Sequence, residues 1–194
     1  MPRGRSGIPD GWLEYAKTGQ PVAGTRFVAF KTPLAEADFD HLLREAQRFS
    51  PDDLLDRLPD LGLVIDLTNT NRYYPRQRIT SRGVQYRKLS CAGHAVPSEA
   101  LVDEFCAVVK EFQQARPSSR ALIGVHCTHG LNRTGFLVCS YMIRRLGFAP
   151  ADAIAAFEAA RGHRIERPQL VARLHDMPRG DPGAACVRRA NYYD

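Results

Sequence analysis

The chain has 194 residues, 44% of them hydrophobic, and a formal net charge of +6 at neutral pH. This length suits one compact domain and is short for two, and no apolar run is long enough to span a membrane. The charge comes from 23 arginines and only four lysines. It suits an anionic partner such as a nucleic acid, although genome base composition would enrich arginine equally well.

Strand-like and helical patterns alternate along the chain. Short β-branched runs are typical of buried strands, and apolar residues at helical spacing are typical of helices. The sequence Ser50-Pro51 followed by two aspartates marks a helix start. The predicted elements are, in chain order, a strand over 27–30, a helix over 38–49, a helix from Pro51, strands over 61–67 and 86–89, a helix over 97–114, a strand over 121–125, and helices from Thr134, over 150–160 and over 169–175.

This alternation predicts an α/β fold with a central, mostly parallel sheet and helices on both faces. Residues 1–7 are basic and lack the apolar core of a secretion signal, so we expect a disordered arm there. Residues 8–177 form the single domain, and residues 178–194, with two prolines and two glycines, form a loosely packed tail. Ligands of such folds bind beyond the carboxyl ends of the strands, where Asp66 and Cys127 both fall.

The strongest chemical signal is the segment HCTHGLNRTG at 126–135. It follows a predicted strand and precedes a predicted helix. Backbone N–H groups and the positive end of a helix dipole therefore meet in this loop, as anion sites require. The sequence predicts a phosphate-binding loop with a cysteine and an arginine inside it.

The side chains of this loop suit phosphoryl transfer. The amides and the helix dipole should lower the pKa of Cys127, so that its thiolate attacks phosphorus. Arg133 supplies a planar fork for two phosphate oxygens, and Thr134 can donate to the thiolate when it leaves. The alternative is an inert buried cysteine beside a surface arginine, which would not require the flanking strand, glycines and helix.

The rest of the loop is predicted to shape the phosphate site. Gly130 allows close approach of the backbone, Gly135 lets the helix start pack tightly, and Asn132 braces the loop. The remaining predicted phosphate-loop residues are His126, Thr128, His129 and Leu131.

The five cysteines predict free thiols rather than a disulfide framework or a metal site. Their number is odd and one lies in the phosphate loop, which favours a reducing intracellular compartment. No spacing suggests zinc, because His126, Cys127 and His129 are too crowded to share a metal. We expect neither a metal nor a cofactor.

These motifs resemble the RNA 5′-triphosphatase branch of the cysteine phosphatase superfamily. The loop alone is similar to the superfamily; its THG, together with DLTNTNRYY at 66–74 and ARGHRIER at 160–167, is similar to this branch. The resemblance runs in one order over about residues 8–177, including 8–34. It is nearest to the stand-alone RNA phosphatases of animals and baculoviruses and extends to the triphosphatase domain of capping enzymes. It implies the cysteine-phosphatase fold.

The resemblance also implies roles outside the loop. Asp66 matches an aspartate that contributes to activity, either by orienting Arg133 or by handling water; the alternative is a turn carboxylate. Arg167 matches an arginine that contacts substrate phosphates, and Pro168 departs from the polar residue usual there. The other candidate substrate-binding residues are Arg161 and Arg164, for which a solvated face is the alternative. Arg72, Tyr73 and Tyr74 either line the cleft, with a tyrosine stacked on the first base, or pack in the core.

A general acid is missing from its usual place. Protein phosphatases need an acid to protonate a departing phenol or alcohol. In the superfamily it is an aspartate before the long helix, but residues 91–100 read CAGHAVPSEA. His94 or Glu99 could act instead, unless they are ordinary loop and helix residues. A departing phosphate needs no acid, since its relevant pKa is about 6.

The sequence therefore predicts a metal-independent RNA 5′-triphosphatase and diphosphatase. Its partners would be RNA 5′-triphosphate and diphosphate ends, with no membrane, and it would be a monomer located in the nucleus rather than the cytoplasm. No Lys-x-Asp-Gly motif for guanylate transfer occurs, so this chain has no use for a diphosphate end. We therefore expect a second hydrolysis that gives 5′-monophosphate RNA. The alternatives are a triphosphatase that stops at the diphosphate, a dual-specificity protein phosphatase, and a non-catalytic module that binds RNA ends or proteins.

Overall fold

The structure, a computed structural model, describes residues 7–36, 43–93 and 95–180. Its strands are β1 (Thr18–Pro21), β2 (Phe27–Lys31), β3 (Leu61–Asp66), β4 (Gln85–Lys88) and β5 (Leu122–Cys127). They form one sheet in the order β1-β2-β5-β3-β4. Only β1 is antiparallel to its neighbour, so the expected, mostly parallel sheet is confirmed.

Six helices accompany the sheet in the described residues: α1 (Pro51–Arg57), α2 (Gln77–Thr80), α3 (Glu99–Ala115), α4 (Asn132–Leu146), α5 (Pro150–Arg161) and α6 (Pro168–His175). None of the helices in these residues is both long and apolar enough to cross a membrane. Alternate residues of β2 enter two separate apolar cores, Phe27 with α3 to α6 and Val28 with α1 and α2. Because successive side chains of a strand face opposite ways, helices cover both faces of the sheet.

Local signals explain several element boundaries. The Ser50 hydroxyl accepts the backbone N–H of Asp53, whose carboxylate accepts the N–H of Ser50, and Pro51 is the first residue of α1. Ser98 caps α3, which therefore begins at Glu99 and not at residue 97. The predicted strands and the helices from residue 51 onward lie within a few residues of the observed ones.

One predicted segment differs from the structure, and another is described only in part. Of the helix predicted over 38–49, residues 38–42 lie outside the described residues, and the remainder contains only a 3-10 turn, Glu45–Gln47. Ser50 precedes a proline and is extended, which ends any helix approaching it. Only residues 178–180 of the predicted loose tail are described, and there the backbone N–H of Gly180 donates to the carbonyl of Ile143 at 3.0 Å. Residues 1–6 and 181–194 lie outside the described residues.

The parallel strands bring the candidate residues to one edge of the sheet. β5 lies between β2 and β3, so that Lys31 is paired with Cys127 and Asp66 with His126. Asp66 and Cys127 therefore end adjacent strands, as the pattern predicts.

Candidate active site

The predicted phosphate loop connects the end of β5 at Cys127 to the start of α4 at Asn132. Gly130 has a left-handed φ of 71°, and a Cβ there would lie 2.2 Å from the carbonyl oxygen of Phe30. A Cβ on Gly135 would lie 2.7 Å from the ring of Phe157. Only glycine fits either position, so the loop is pressed against β2 and the helix start against α5.

The thiol of Cys127 lies in surroundings that favour its ionised form. Burial by itself would raise its pKa. The charge of Arg133, the hydroxyl of Thr134 and the backbone N–H groups of Thr134 and Gly130 outweigh burial and hold the pKa of Cys127 below its ordinary value. Within the described residues the Thr134 hydroxyl has no other partner, so its proton is available to the sulfur. Cys127 thus has the electrostatic surroundings of a nucleophile.

Arg133 is held by three protein acceptors at one end of its guanidinium group. Nη1 donates to the carbonyls of Leu67 at 3.2 Å and Cys91 at 2.7 Å, and Nη2 donates to the hydroxyl of Thr128 at 3.0 Å. Its Nε donates to no group in the described part of the chain. Nε–H and the second Nη2 proton can therefore bind two phosphate oxygens without any rearrangement of the fork.

The Asp66 carboxylate is engaged by its own neighbours. Oδ1 accepts the N–H and the hydroxyl of Thr68 at 2.7 and 2.8 Å, and Oδ2 accepts the Tyr86 hydroxyl at 2.7 Å and Lys88 Nζ at 2.9 Å. Asp66 therefore makes no hydrogen bond to Arg133 itself, and its contribution to activity stays a prediction. Asp66 instead fixes the turn after β3, which presents a carbonyl to Arg133.

His126 joins this buried network to the loop. Its Nε2 lies 2.7 Å from the Tyr74 hydroxyl and 3.7 Å from the Asp66 carboxylate, and its Nδ1 lies 3.1 Å from the carbonyl of Cys127. Burial lowers the pKa of His126 against the opposing charge of Asp66. Burial would raise the pKa of Asp66, but His126 and the two donors on Oδ2 hold it below its ordinary value. The network supports the loop from the side of β3.

Arg167 lies close to the same stretch of chain as Arg133. It is the N-cap of α6, and Pro168 after it favours the observed extended backbone, with φ −96° and ψ 110°. The proline therefore sets the direction from which Arg167 approaches. Arg167 Nη1 donates to the carbonyl of Gly93, and Arg133 donates to that of Cys91. Two guanidinium groups thus meet one short segment.

Asn132 braces the loop, as expected, and it does so by binding the segment that carries Arg167. Its Oδ1 accepts the backbone N–H groups of Glu166 at 2.9 Å and Arg167 at 3.1 Å. Its Nδ2 donates to the Glu166 carboxylate at 3.3 Å. The distance between the phosphate loop and Arg167 is thereby fixed through backbone contacts.

Arg161 is 1% exposed and does not reach an open substrate site. Its Nε donates to the carbonyl of Gly130 at 3.1 Å, and its Nη2 to those of His129 at 3.0 Å and Ala16 at 2.8 Å. The prediction that Arg161 binds substrate is therefore wrong, because its guanidinium is buried against backbone carbonyls. Arg164 is exposed and donates no hydrogen bond within the described residues, so its role remains a prediction.

One wall of the loop comes from residues 8–17, here called the amino-terminal flank, which the sequence analysis missed. Trp12 is fully buried, and its Nε1 donates to the carbonyl of Thr32 at 2.9 Å. Lys31 Nζ donates to the carbonyls of Trp12 at 2.9 Å and Tyr15 at 3.0 Å. Burial, followed by two nearby cations, lowers the pKa of Lys31 to about 8. The flank is anchored by a buried cation beside the loop.

Tyr15 connects this flank to the phosphate loop, through His129, and to the segment ARGHRIER, through Glu166. Its ring lies 4.9 Å from that of His129, measured between centroids, and its hydroxyl donates to Glu166 at 2.6 Å. This hydrogen bond, more than burial, raises the pKa of Tyr15 to about 12. The ring of His129 also lies 2.8 Å from the carbonyl of Asp10. The one sequence signal for these contacts is a lysine, Lys31, at the end of an apolar strand.

The opposite wall is formed by residues 90–93 and 95–98, here called the Cys91 flank. It borders a cavity of about 450 Å³. His94 lies outside the described residues, so its candidate role as an acid or a substrate contact stays a prediction. The Glu99 carboxylate accepts hydrogen bonds from Arg144 at 3.1 Å and from Arg173. Glu99 is therefore an ion-paired residue of the helix start and not an acid of the site.

The tyrosines after β3 pack in the core. Tyr73 and Tyr74 are 7% and 6% exposed, and the Tyr74 hydroxyl is bonded to His126. Neither ring is available to stack on a base. Arg72 lies outside them, with its guanidinium carbon 5.0 Å from the centroid of the Tyr73 ring.

Comparison with known proteins decides the family. The model of the dual specificity phosphatase catalytic domain matches residues 43–179. The chain belongs to the dual-specificity phosphatase family. This phosphatase is 43% identical over 176 residues to the mouse RNA/RNP complex-1-interacting phosphatase, covering 89% of this chain and 54% of that protein. It is 41% identical over 167 residues to a tyrosine-protein phosphatase of Autographa californica nuclear polyhedrosis virus, covering 86% and 98%.

Solved structures confirm the fold of this phosphatase. The crystal structure of PTPMT1 superposes with a TM-score of 0.61 at 18% identity, covering 89% of this chain and 98% of that one. The predicted cysteine-phosphatase fold is therefore confirmed, while the family model and the two relatives confirm the predicted family. The chain spans about half the length of the mouse relative and nearly all of the baculovirus one.

Proposed function

We propose that this phosphatase is a metal-independent RNA 5′-triphosphatase and diphosphatase that leaves a 5′-monophosphate. The observation that carries the proposal is the pair of guanidinium groups beside the Cys91 flank. Arg133 and Arg167 donate to carbonyls two residues apart, those of Cys91 and Gly93. Two residues of chain span at most about 7 Å. The acceptors of the two guanidinium groups therefore lie close together, and we infer that the two arginines bind adjacent phosphates of one polyphosphate.

The chemistry uses groups that already face the nucleophile. The Cys127 thiolate attacks the γ-phosphorus, and the bond to the bridging oxygen breaks, so that RNA diphosphate leaves as an anion. Arg133 and the loop amides hold the equatorial oxygens of the transferred group. Water then attacks the phosphocysteine and releases phosphate, while the Thr134 hydroxyl donates to the departing thiolate.

The leaving group explains why no aspartate is needed on the Cys91 flank. Among residues 91–93 and 95–100 the one carboxylate belongs to Glu99, and arginines occupy it. A phosphate leaving group has a relevant pKa of about 6 and leaves unaided. A tyrosine phenol, with a pKa of about 10, leaves poorly without a proton. The site is therefore better suited to phosphoanhydrides than to phosphoesters.

A second turnover requires a group that holds whichever phosphate comes next. After the γ-phosphate is gone, the RNA must move inward until its β-phosphate meets Cys127. Arg167 is permanently charged, and its backbone is fixed to the loop through Asn132. It can hold the β-phosphate in the first step and the α-phosphate in the second.

We also propose where and in what form the protein acts. It would act as a monomer on RNA 5′ ends, in a reducing intracellular compartment and in the nucleus rather than the cytoplasm. The four cysteines within the described residues are free thiols, which supports a reducing compartment.

Product analysis of triphosphate RNA labelled at the γ- or the β-position tests the proposal. We expect both labels to be released as phosphate, with full activity in excess EDTA. Loss of activity that magnesium or manganese restores would point to a different reaction. Release of the γ-label alone, with diphosphate RNA accumulating, would show an enzyme that stops after one step.

Protein phosphatase activity is the second candidate, and the name of the baculovirus relative favours it. Turnover of a phosphotyrosine peptide should be compared with that of triphosphate RNA by the same preparation. We expect RNA far above phosphotyrosine, with phosphoserine lowest. A phosphotyrosine rate equal to or above the RNA rate would reverse the assignment. No phosphate release from any of these substrates would indicate a binding module.

A further inference from the structure

Arg161 is a buried cation without an acidic partner. It is 1% exposed, and no carboxylate among the described residues lies within salt-bridge distance of it. Burial lowers its pKa to about 10, against the opposing effect of Cys127, so the group stays protonated at neutral pH. Burying an unpaired charge is costly. Its only acceptors in the described chain are the carbonyls of His129, Gly130 and Ala16.

Two of those carbonyls belong to the phosphate loop, and this decides where the loop amides point. In a planar trans peptide the C=O and the following N–H point in opposite directions. When Arg161 binds the carbonyls of His129 and Gly130, the N–H groups of Gly130 and Leu131 are turned away from Arg161. The N–H of Gly130 also contributes to lowering the pKa of Cys127, which agrees with this orientation. Arg161 therefore binds the carbonyl of the peptide group between His129 and Gly130, and the N–H of the same group faces the nucleophile.

We propose that Arg161 is a positioning residue of the phosphatase reaction, which orients the N–H groups of Gly130 and Leu131 toward Cys127 and its phosphate. The role rests on the phosphocysteine chemistry of the proposed function and not on RNA as the substrate. Gly130 has a left-handed backbone conformation. The loop needs such a restraint because glycine has no side chain and its backbone could otherwise adopt many other conformations. The contact with Ala16 fixes the same guanidinium to the amino-terminal flank.

Two substitutions separate the effect of the planar guanidinium group from the effect of its positive charge. Arg161→Lys keeps a cation but cannot bind both loop carbonyls with fixed geometry. Arg161→Met removes the charge and the cost of burying it, and apolar replacements of buried charges usually fold. The matched control is Arg26→Lys: Arg26 also binds a carbonyl, that of Ser119 at 2.6 Å, but at the start of β5, opposite to Cys127.

The readout is the pH dependence of alkylation of Cys127 by iodoacetamide, corrected with a Cys127→Ser background. The titratable and charged groups around this thiol are Cys91, His126, Arg133 and Arg161. Arg161→Lys should raise the midpoint by about one pH unit, because amide hydrogen bonds to the thiolate weaken, and Arg161→Met should raise it by at least as much, because it also removes a positive charge that interacts with the thiolate. Protection of the thiol by inorganic phosphate should require roughly tenfold more phosphate, below the effect of deleting a donor outright. Arg26→Lys should change neither.

A purely structural Arg161 would give a different result. The variants would then lower the thermal unfolding midpoint while the alkylation midpoint and phosphate protection stayed at wild-type values, which would overturn the proposal. Failure of both variants to fold would also contradict it, since Arg161 would then serve the fold and not the loop. Neither readout uses RNA. A protein inactive on RNA with an Arg161-dependent thiol would refute the proposed function and leave this inference standing.

Discussion

The two flanks of the phosphate loop are held by different kinds of contact. Lys31 and Arg161 bind three backbone carbonyls of the amino-terminal flank, and neither is assigned a contact with substrate. On the Cys91 flank, Arg133 and Arg167 each bind one carbonyl. These two arginines are also the proposed phosphate ligands. The first flank is therefore a fixed wall, and the position of the second depends on the residues that carry the chemistry.

This difference shows how one loop can combine rigidity with response to substrate. Loss of one contact on the amino-terminal flank leaves several others in place. Loss of an arginine that binds the Cys91 flank removes a proposed phosphate ligand and a support of this flank together. Substitutions at the two flanks should therefore differ in the size of their effects, and also in whether kcat or the free energy of unfolding changes.

Among substitutions at the two flanks, Arg133→Lys should have the largest effect on the rate. A lysine cannot bind the carbonyls and two phosphate oxygens at once, so kcat should fall at least about 10²–10³-fold. Steady-state rates on triphosphate RNA measure it. The matched control is Arg87→Lys, whose ion pair with Glu111 lies on the surface. A loss below tenfold for Arg133→Lys would mean that the fork is not essential.

Arg167→Ala should produce the next largest effect. Both the triphosphatase and the diphosphatase steps should slow, by about tenfold at low salt, with weaker RNA binding and a smaller difference from wild type at high salt, where the charge of Arg167 is screened in the wild type as well. Rates on triphosphate and diphosphate RNA at two salt concentrations measure this. Arg173→Ala is the control, because Arg173 lies on the same helix but binds Glu99. Equal rates for wild type and Arg167→Ala would remove this arginine from the substrate site.

Asp66→Asn should change stability more than rate, because Asp66 supports the Cys91 flank only through the turn after β3. The neutral amide should lower the free energy of unfolding by about 1–3 kcal/mol at neutral pH. Its folded pKa lies below the unfolded value of about 3.9, so this stability is present above that pH and is lost as the pH falls through the folded pKa.

Urea unfolding at about pH 7 and at about pH 3 checks the sign, since the difference between Asp66→Asn and wild type should shrink in acid. Asp56→Asn is the control, because Asp56 is exposed and pairs with Arg82 on the surface. A difference that grows in acid would contradict the depressed pKa of Asp66.

The smallest effect should follow from Tyr15→Phe on the fixed wall. The variant loses the hydrogen bond to Glu166, but Trp12, Lys31 and Arg161 still anchor the flank. We expect a change of unfolding free energy within about 1 kcal/mol and an RNA rate within about threefold. A tenfold loss of rate would show that the amino-terminal flank takes part in substrate binding, and the distinction between the two flanks would fail.

Local patterns were sufficient to predict most of the fold and the centre of the site. The apolar run before Cys127, the two loop glycines and the helix after Asn132 are signals within a few residues of one another, and the structure places them as predicted. Ser50 and Pro51 likewise mark their helix through adjacent residues. Leu43 and Phe49 are buried although no α-helix forms between them. Packing and the proline at position 51 outweigh the helical spacing of the apolar residues.

Side-chain roles that depend on distant contacts could not be read in the same way. Arg161 and Arg167 share one motif, yet one is buried behind the loop and the other reaches the Cys91 flank. Asp66 stands at the predicted edge but is occupied by Tyr86 and Lys88 of another strand. Such partners are brought together only by the sheet order, for which the sequence carries no local signal.

The most direct test of the mechanism is to trap the phosphate on the protein. Triphosphate RNA labelled in the γ-phosphate would be mixed with excess enzyme, quenched in acid within the first turnover, and the labelled peptide mapped. The mechanism predicts label on Cys127 that appears before free phosphate, and none in Cys127→Ser, which should still bind the RNA without turning it over. Release of labelled phosphate at the full rate with no label on Cys127, or from Cys127→Ser, would contradict it.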